Sequence, residues 1–250
     1  MIKVLICGVC GKMGANLLEL LKDDAEAVAL CGVDPKGDAD CAIPCYTSFN
    51  AVKDKPDVII DFSSPAALPG ELAYAKANNV PIVLASTGFT KEQLDEIDEA
   101  AKNVAIFRTA NFSLGVNLIC ELVKKAAATL GDKFDIEIVE RHHNQKVDSP
   151  SGTALMLAQS ANSAFDDVKP YVNGRSGLVG KRGNEIGIHA VRGGTIVGEH
   201  EVAFCGEDEI ITISHSARSK KVFAAGAIKA AKWIIGKDAK LYDMQDMLKD

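Results

Sequence analysis

The chain has 250 residues, of which 47% are hydrophobic and 25% charged, ordinary usage for a folded globular protein. A net charge of -6 with no long basic run argues against nucleic-acid or membrane-surface partners, and the apolar stretches are too short to span a bilayer. Seven cysteines, an odd number without small-scaffold spacing, and an N-terminus that reads straight into a strand point to reduced thiols in a cytoplasmic protein.

Short apolar, β-branched runs fall at residues 4–7, 28–33, 58–62, 82–85 and 104–108. Helix-like stretches at 12–22, 68–78 and 91–102 separate them. Strands that alternate with helices predict an α/β, doubly wound parallel sheet of the Rossmann type. The texture changes after Asn111. A helix is expected at 114–130, a strand at 135–140, a polar loop at 141–150 and a helix from 153 to 165. Strands are expected beyond it at 186–191, 196–203 and 209–214, separated by glycine-rich and acidic turns. This predicts an α+β domain with a mixed open sheet. A last helix, 222–235, is expected to return to the first domain. The expected division is 1–112 with 218–250 for dinucleotide binding, and 113–217 for substrate binding and oligomerisation. The acidic excess lies at the front: residues 1–112 hold 10 Lys+Arg against 16 Asp+Glu, and residues 113–221 hold 13 against 14.

Gly8, Gly11 and Gly14 follow the first strand and open a helix. A tight strand-to-helix turn needs glycine, and a pyrophosphate that approaches the backbone needs missing Cβ atoms. Asp34 ends the second strand, about 20 residues beyond the last glycine, where a carboxylate accepts from adenosine ribose hydroxyls. Lys36 could meet a 2′-phosphate, so NADP stays open beside NAD. Cys7 and Cys10 form a C-x-x-C in the same turn, and Cys41 and Cys45 could complete a four-thiol zinc site. The glycine pattern competes for that turn, so no metal is expected. The segments Asp61–Pro65 and Ala85–Phe89 sit at strand C-termini, where ligands bind in open α/β sheets. Ordinary turn chemistry accounts for their composition equally well.

The stretch from Glu140 to Ala154 is the most informative. Two histidines (His142, His143), Lys146 and Asp148 crowd into a loop, and Ser151, Gly152 and Thr153 then open a helix. Ser151 is a candidate N-cap, and the N–H groups of Gly152 and Thr153 offer an anion site. Composition suits a carboxylate-bearing substrate with a cationic donor near its reactive centre, and also suits a solvated turn.

This stretch resembles the signature E-x-H-H-x-x-K-x-D-x-P-S-G-T-A of dihydrodipicolinate reductases. The resemblance extends through the Gly8–Gly14 turn, the Ser86–Phe89 and Ala110–Ser113 segments, Arg192 to His200, and Arg218 to Ala227. One departure is Ala85, where family members often carry glycine. The resemblance implies a two-domain homotetramer in which NADH or NADPH donates hydride to a dehydrated cyclic imine dicarboxylate, giving tetrahydrodipicolinate on the route to lysine. It implies that His142 is the acid/base and Lys146 the proton donor, with His143, Gly152 and Thr153 at substrate positions. Gly8, Val9, Cys10, Gly11, Lys12, Met13, Asp34, Ala85, Ser86, Thr87, Thr109, Ala110, Asn111 and Phe112 fall on its cofactor positions. Whether His142 or Lys146 delivers the proton is open from the residues themselves. With the two reactants on different domains, hinge closure near residues 109–113 and before Val222 is expected.

Overall fold

The structure is a computed structural model that describes residues 1–37 and 41–250. Its first sheet has the strands β1 (Ile2–Cys7), β2 (Ala27–Val33), β3 (Cys45–Tyr46), β4 (Val58–Asp61), β5 (Ile82–Leu84), β6 (Ile106–Arg108) and β12 (Leu241–Tyr242). They lie in the order β12-β6-β5-β4-β1-β2-β3, and every pairing is parallel. The order 3-2-1-4-5-6 is the doubly wound arrangement that the alternating sequence predicts. The strand order reverses between β1 and β4, the point beyond whose strand C-termini ligands bind in sheets of this kind.

The central strands are apolar because both faces are covered. In β1, Val4, Leu5 and Ile6 are all fully buried. Leu5 and Cys7 pack with Leu68, Leu72 and Ala75 of α2 (Leu68–Asn78) and Ile97 of α3 (Lys91–Ala100). The helix α1 (Lys12–Lys22) packs against β1 and β2, and α6 (Lys221–Ile234) packs against α1 and β4 to β6. The short helix α7 (Met244–Lys249) follows β12. Thr90 caps α3 with a reciprocal bond to Gln93, which fixes where that helix begins.

The second sheet contains β7 (Asp135–His142), β8 (Tyr171–Asn173), β9 (Ile186–Arg192), β10 (Gly198–Cys205) and β11 (Ile210–Ala217), in the order β11-β10-β7-β9-β8. The β11, β10 and β7 pairings are antiparallel, while β7, β9 and β8 are parallel, so the sheet is mixed. Period-two burial along β7 and β10 directs Ile136, Ile138, Val202 and Phe204 onto α4 (Leu114–Leu130) and α5 (Gly152–Asn162). The chain divides into two compact units, Met1–Ser113 with Lys220–Asp250, and Leu114–Ser219. Among the described residues, no helix is long and apolar enough to cross a membrane.

Candidate active site

The first unit builds a cradle at the C-terminal ends of β1, β2, β4, β5 and β6. Gly8 has φ +79°, and a Cβ there would lie 2.9 Å from the Phe62 carbonyl oxygen. A Cβ on Gly14 would meet the Val9 carbonyl oxygen at 2.3 Å. Only glycine lets the turn pass so close to the neighbouring loop and then fold back under its own helix. Gly11 is the N-cap of α1 with no side-chain cap, so the positive helix end is left for an anion. Asp34 is buried, and its carboxylate accepts from the N–H groups of Cys10 (3.1 Å) and Lys36 (3.0 Å). The acid therefore shapes the turn as well as lying beside it.

The remaining cofactor candidates differ in what they can offer. Val9 is buried against Gly32, so it contributes backbone only. Phe112 is buried with its ring 6.1 Å from Phe62 and 5.9 Å from Phe107, so it too can offer only its backbone. Lys12 is exposed at the helix start and Met13 half-buried. Ala85 donates its N–H to the Asp61 carbonyl at 2.9 Å, which brings the Ala85, Ser86 and Thr87 segment beside the β4 loop. Thr109 Oγ1 accepts from the Asn111 N–H at 3.4 Å, and the Asn111 side chain accepts from Ser113 N–H at 2.8 Å, so residues 109–113, Ala110 among them, form one folded turn. Uncapped helix, missing Cβ atoms and ribose-side carboxylate together fit a dinucleotide.

Cys7 and Cys10 do not act together. Cys7 is buried, with its thiol 3.4 Å from Ser63 Oγ and beside Asp61 and Glu71. Burial raises the pKa of the Cys7 thiol and of both carboxyls. Cys10 instead faces Cys41 and Cys45.

The second unit gathers the histidines. The loop expected from residue 141 starts later: β7 continues to His142, because Arg141 pairs with Glu199 and His142 with Arg192. His142 thus stands on a strand end, a firmer base than a loop. Its Nδ1 lies 2.6 Å from Glu140 Oε2. Glu140 is fully buried and receives both terminal nitrogens of Arg192, at 2.7 and 2.8 Å, plus the Ser151 N–H at 3.0 Å. Burial opposes its ionisation, but Arg192, His142 and that N–H together hold the carboxyl below its ordinary pKa. An ionised carboxylate only accepts, so His142 carries its proton on Nδ1 and leaves Nε2 for other chemistry. Gly198 leaves room for this ring, since a Cβ there would sit 3.0 Å from Nε2.

Ser151 caps α5: its Oγ accepts from Ala154 N–H at 3.2 Å and lies 2.9 Å from His200 Nε2. Gly152 and Thr153 form the first turn, at the positive end of the helix. The His200 ring packs edge-on against His142 with centroids 5.1 Å apart. Burial pushes the His200 pKa down to about 4. Lys146 Nζ pairs with Asp148 at 2.8 Å, and the ammonium holds that carboxyl below its ordinary pKa. His143 is half-buried and its carbonyl accepts from Lys146 N–H at 3.2 Å.

His142, Ser151 and the α5 start are therefore one connected cluster. Reading the sequence for site residues misses Glu140, Arg192 and His200, which tie that cluster together. The signal was present: period two along β10 sets His200 on the same face as Val202, and the register sets it opposite Glu140.

Residues 2–112 match the family model for the N-terminus of dihydrodipicolinate reductase, and residues 115–248 match the model for its C-terminus. The chain belongs to the dihydrodipicolinate reductase family. It is 49% identical over 250 residues to the 4-hydroxy-tetrahydrodipicolinate reductase of Caldanaerobacter subterraneus subsp. tengcongensis, a match that covers 100% of this chain and 99% of that one. It is 45% identical to the reductase of the same name from Clostridium novyi, over 100% and 99% of the two chains. Among solved structures, a dipicolinate-bound dihydrodipicolinate reductase from Paenisporosarcina sp. TG-14 is similar, with a TM-score of 0.81, 27% identity and 97% of each chain covered. A probable dehydrogenase from Thermotoga maritima, at 13% identity and TM-score 0.63, shares the fold. The chain is accordingly an oxidoreductase of the diaminopimelate route to lysine, with NAD(P)H as its reductant.

Proposed function

We propose that the chain reduces 4-hydroxy-tetrahydrodipicolinate, through its dehydrated cyclic imine, to tetrahydrodipicolinate, with the work divided between named residues. The Gly8–Gly14 turn and the start of α1 take the cofactor pyrophosphate, and Asp34 takes the adenosine ribose. Lys36, two residues on, offers a partner for a 2′-phosphate, so the cofactor is NADH or NADPH. Residues 85–87 and 109–112 line the rest of the cofactor site. When bound, the cofactor supplies the hydride. Gly152 and Thr153, at the positive end of α5, bind a substrate carboxylate together with His143. Lys146 stabilises the electron density that hydride addition builds on the conjugated imine. His142 holds and moves a proton through Nε2, and Lys146 is the proton donor that completes the reduction.

The observation that carries this reading is the buried Glu140, which fixes His142, Arg192 and the Ser151 N–H at the mouth of α5. The dipicolinate bound to the similar reductase supports a planar dicarboxylate as ligand. In a coupled assay with the synthase product, Lys146→Ala and His142→Ala are expected to lower kcat by about 100-fold or more. Cofactor binding, followed by NADPH fluorescence, should stay near the wild-type value. Near-wild-type kcat in both variants would sink the assignment.

The family resemblance also supports a homotetramer that works in the cytoplasm. The outer face of the second sheet suits such an assembly. Cross-strand register sets Glu137 beside Ala203 and Thr212, and Val139 beside Glu201 and Ser214 on that face, away from the core that α4 and α5 cover.

A further inference from the structure

The sulfur atoms of Cys10, Cys41 and Cys45 all lie within 4.8 Å of one another. They come from two places in the chain. Cys10 sits in the glycine turn after β1, and Cys45 begins β3, which pairs with the end of β2. Cys41 precedes Cys45 with three residues between them, a spacing within the usual range for paired metal ligands. Cys10 Sγ and Cys41 Sγ are 3.9 Å apart. In a tetrahedral zinc–thiolate site with bonds of about 2.3 Å, two sulfurs lie roughly 3.8 Å apart. A disulfide would need the same two atoms at about 2.05 Å and would leave the third thiol without a role. None of the three is in a disulfide.

We propose that Cys10, Cys41 and Cys45 bind one thiophilic divalent cation of the zinc class. Three thiolate bonds form and three protons pass to solvent, so no oxidant or reductant takes part. Cys10 and Cys41 are partly exposed, so water reaches the fourth coordination position. All donors are soft sulfur, which selects zinc over magnesium or calcium. The cation fastens the segment before β3 to the glycine turn, next to Asp34, whose carboxylate already holds the Cys10 N–H. The sequence alone pointed the other way, because the glycine pattern competes for the turn that carries Cys7 and Cys10. In the fold, Cys7 belongs to a separate buried group with Asp61 and Glu71.

The test uses the full chain, reduced, stripped of metal by a chelator and titrated anaerobically with Co²⁺ as probe. The expected result is one Co²⁺ per chain, with the intense visible bands of tetrahedral thiolate-bound cobalt, displaced by Zn²⁺. Zn²⁺ should also raise the Tm of the wild type, because it binds only the folded site. Cys41→Ser replaces a partly exposed side chain and should lose both responses. Cys120→Ser, in the other unit, should keep both. The proposal is overturned by wild-type protein that shows no such bands. It is equally overturned by bands that persist in a Cys41→Ser/Cys45→Ser double variant, or by a Cys10–Cys41 disulfide with no metal uptake.

Discussion

The carboxylate of Glu140 is the residue on which the second unit's chemistry turns. It is fully buried, so its charge is tolerable only through Arg192, His142 and the Ser151 N–H. Arg192→Ala leaves that charge uncompensated, and the expected loss is about 3–5 kcal/mol of unfolding free energy in urea titrations. A loss below about 1 kcal/mol would show that Glu140 finds other support. His200 makes a pH prediction. Its pKa is about 4 in the fold against an ordinary 6.5, so below pH 6.5 the unfolded chain takes up a proton that the folded chain does not. Stability from this group is complete above pH 6.5 and falls as pH drops toward 4, by on the order of 3 kcal/mol. Urea midpoints measured down that range should decline in the wild type and decline less in His200→Gln. Parallel curves for the two proteins would remove His200 as the cause.

Among the elements, α6 is pressed closely onto the turn of residues 109–113. A Cβ on Gly226 would lie 1.7 Å from the Phe112 carbonyl oxygen, a backbone atom with no way to yield. Gly226→Ala should therefore cost at least about 2 kcal/mol, even though alanine favours a helix. A urea midpoint equal to the wild type's would mean that α6 can shift without loss. The pressed backbone belongs to the turn of residues 109–113, so NADPH titration should show weaker binding in the same variant. Strands β3, β8 and β12 are two or three residues long, too short for any periodicity to announce them. They exist because a neighbouring strand offers unpaired backbone: Cys45 and Tyr46 align with Gly32 and Val33, and Leu241 and Tyr242 with Ile106 and Phe107.

At the scale of the whole molecule, the chain leaves its first unit at Ser113 and rejoins it at Lys220, so the second unit is an insertion between β6 and α6. That sheet keeps one face on its own helices and presents small and charged residues on the other. If the outer face joins copies of the chain, Ala203→Glu sets a new charge beside Glu137 and Glu201 of its own subunit and should split the assembly. Sedimentation velocity should show a tetramer for the wild type and a smaller species for Ala203→Glu. A wild-type monomer, or a variant that sediments unchanged, would remove this face as the interface.

Local pattern determined much of this protein. Alternating apolar runs dictated a parallel sheet, three glycines with a carboxylate about 20 residues on marked a dinucleotide turn, and the run from Glu140 to Ala154 named the family. These features act through backbone geometry and short-range chemistry, so their sequence spacing carries them. Tertiary structure decided what depends on register and on distant pairing. Glu140, Arg192 and His200 meet because β9 and β10 flank β7 in one register, and 52 residues separate the ion-paired side chains. The same holds for the thiols: adjacency in sequence paired Cys7 with Cys10, whereas the crossover from β2 to β3 brought Cys41 and Cys45 to Cys10. A strand reveals from its own residues which face is apolar, but its neighbours fix which side chains share a site.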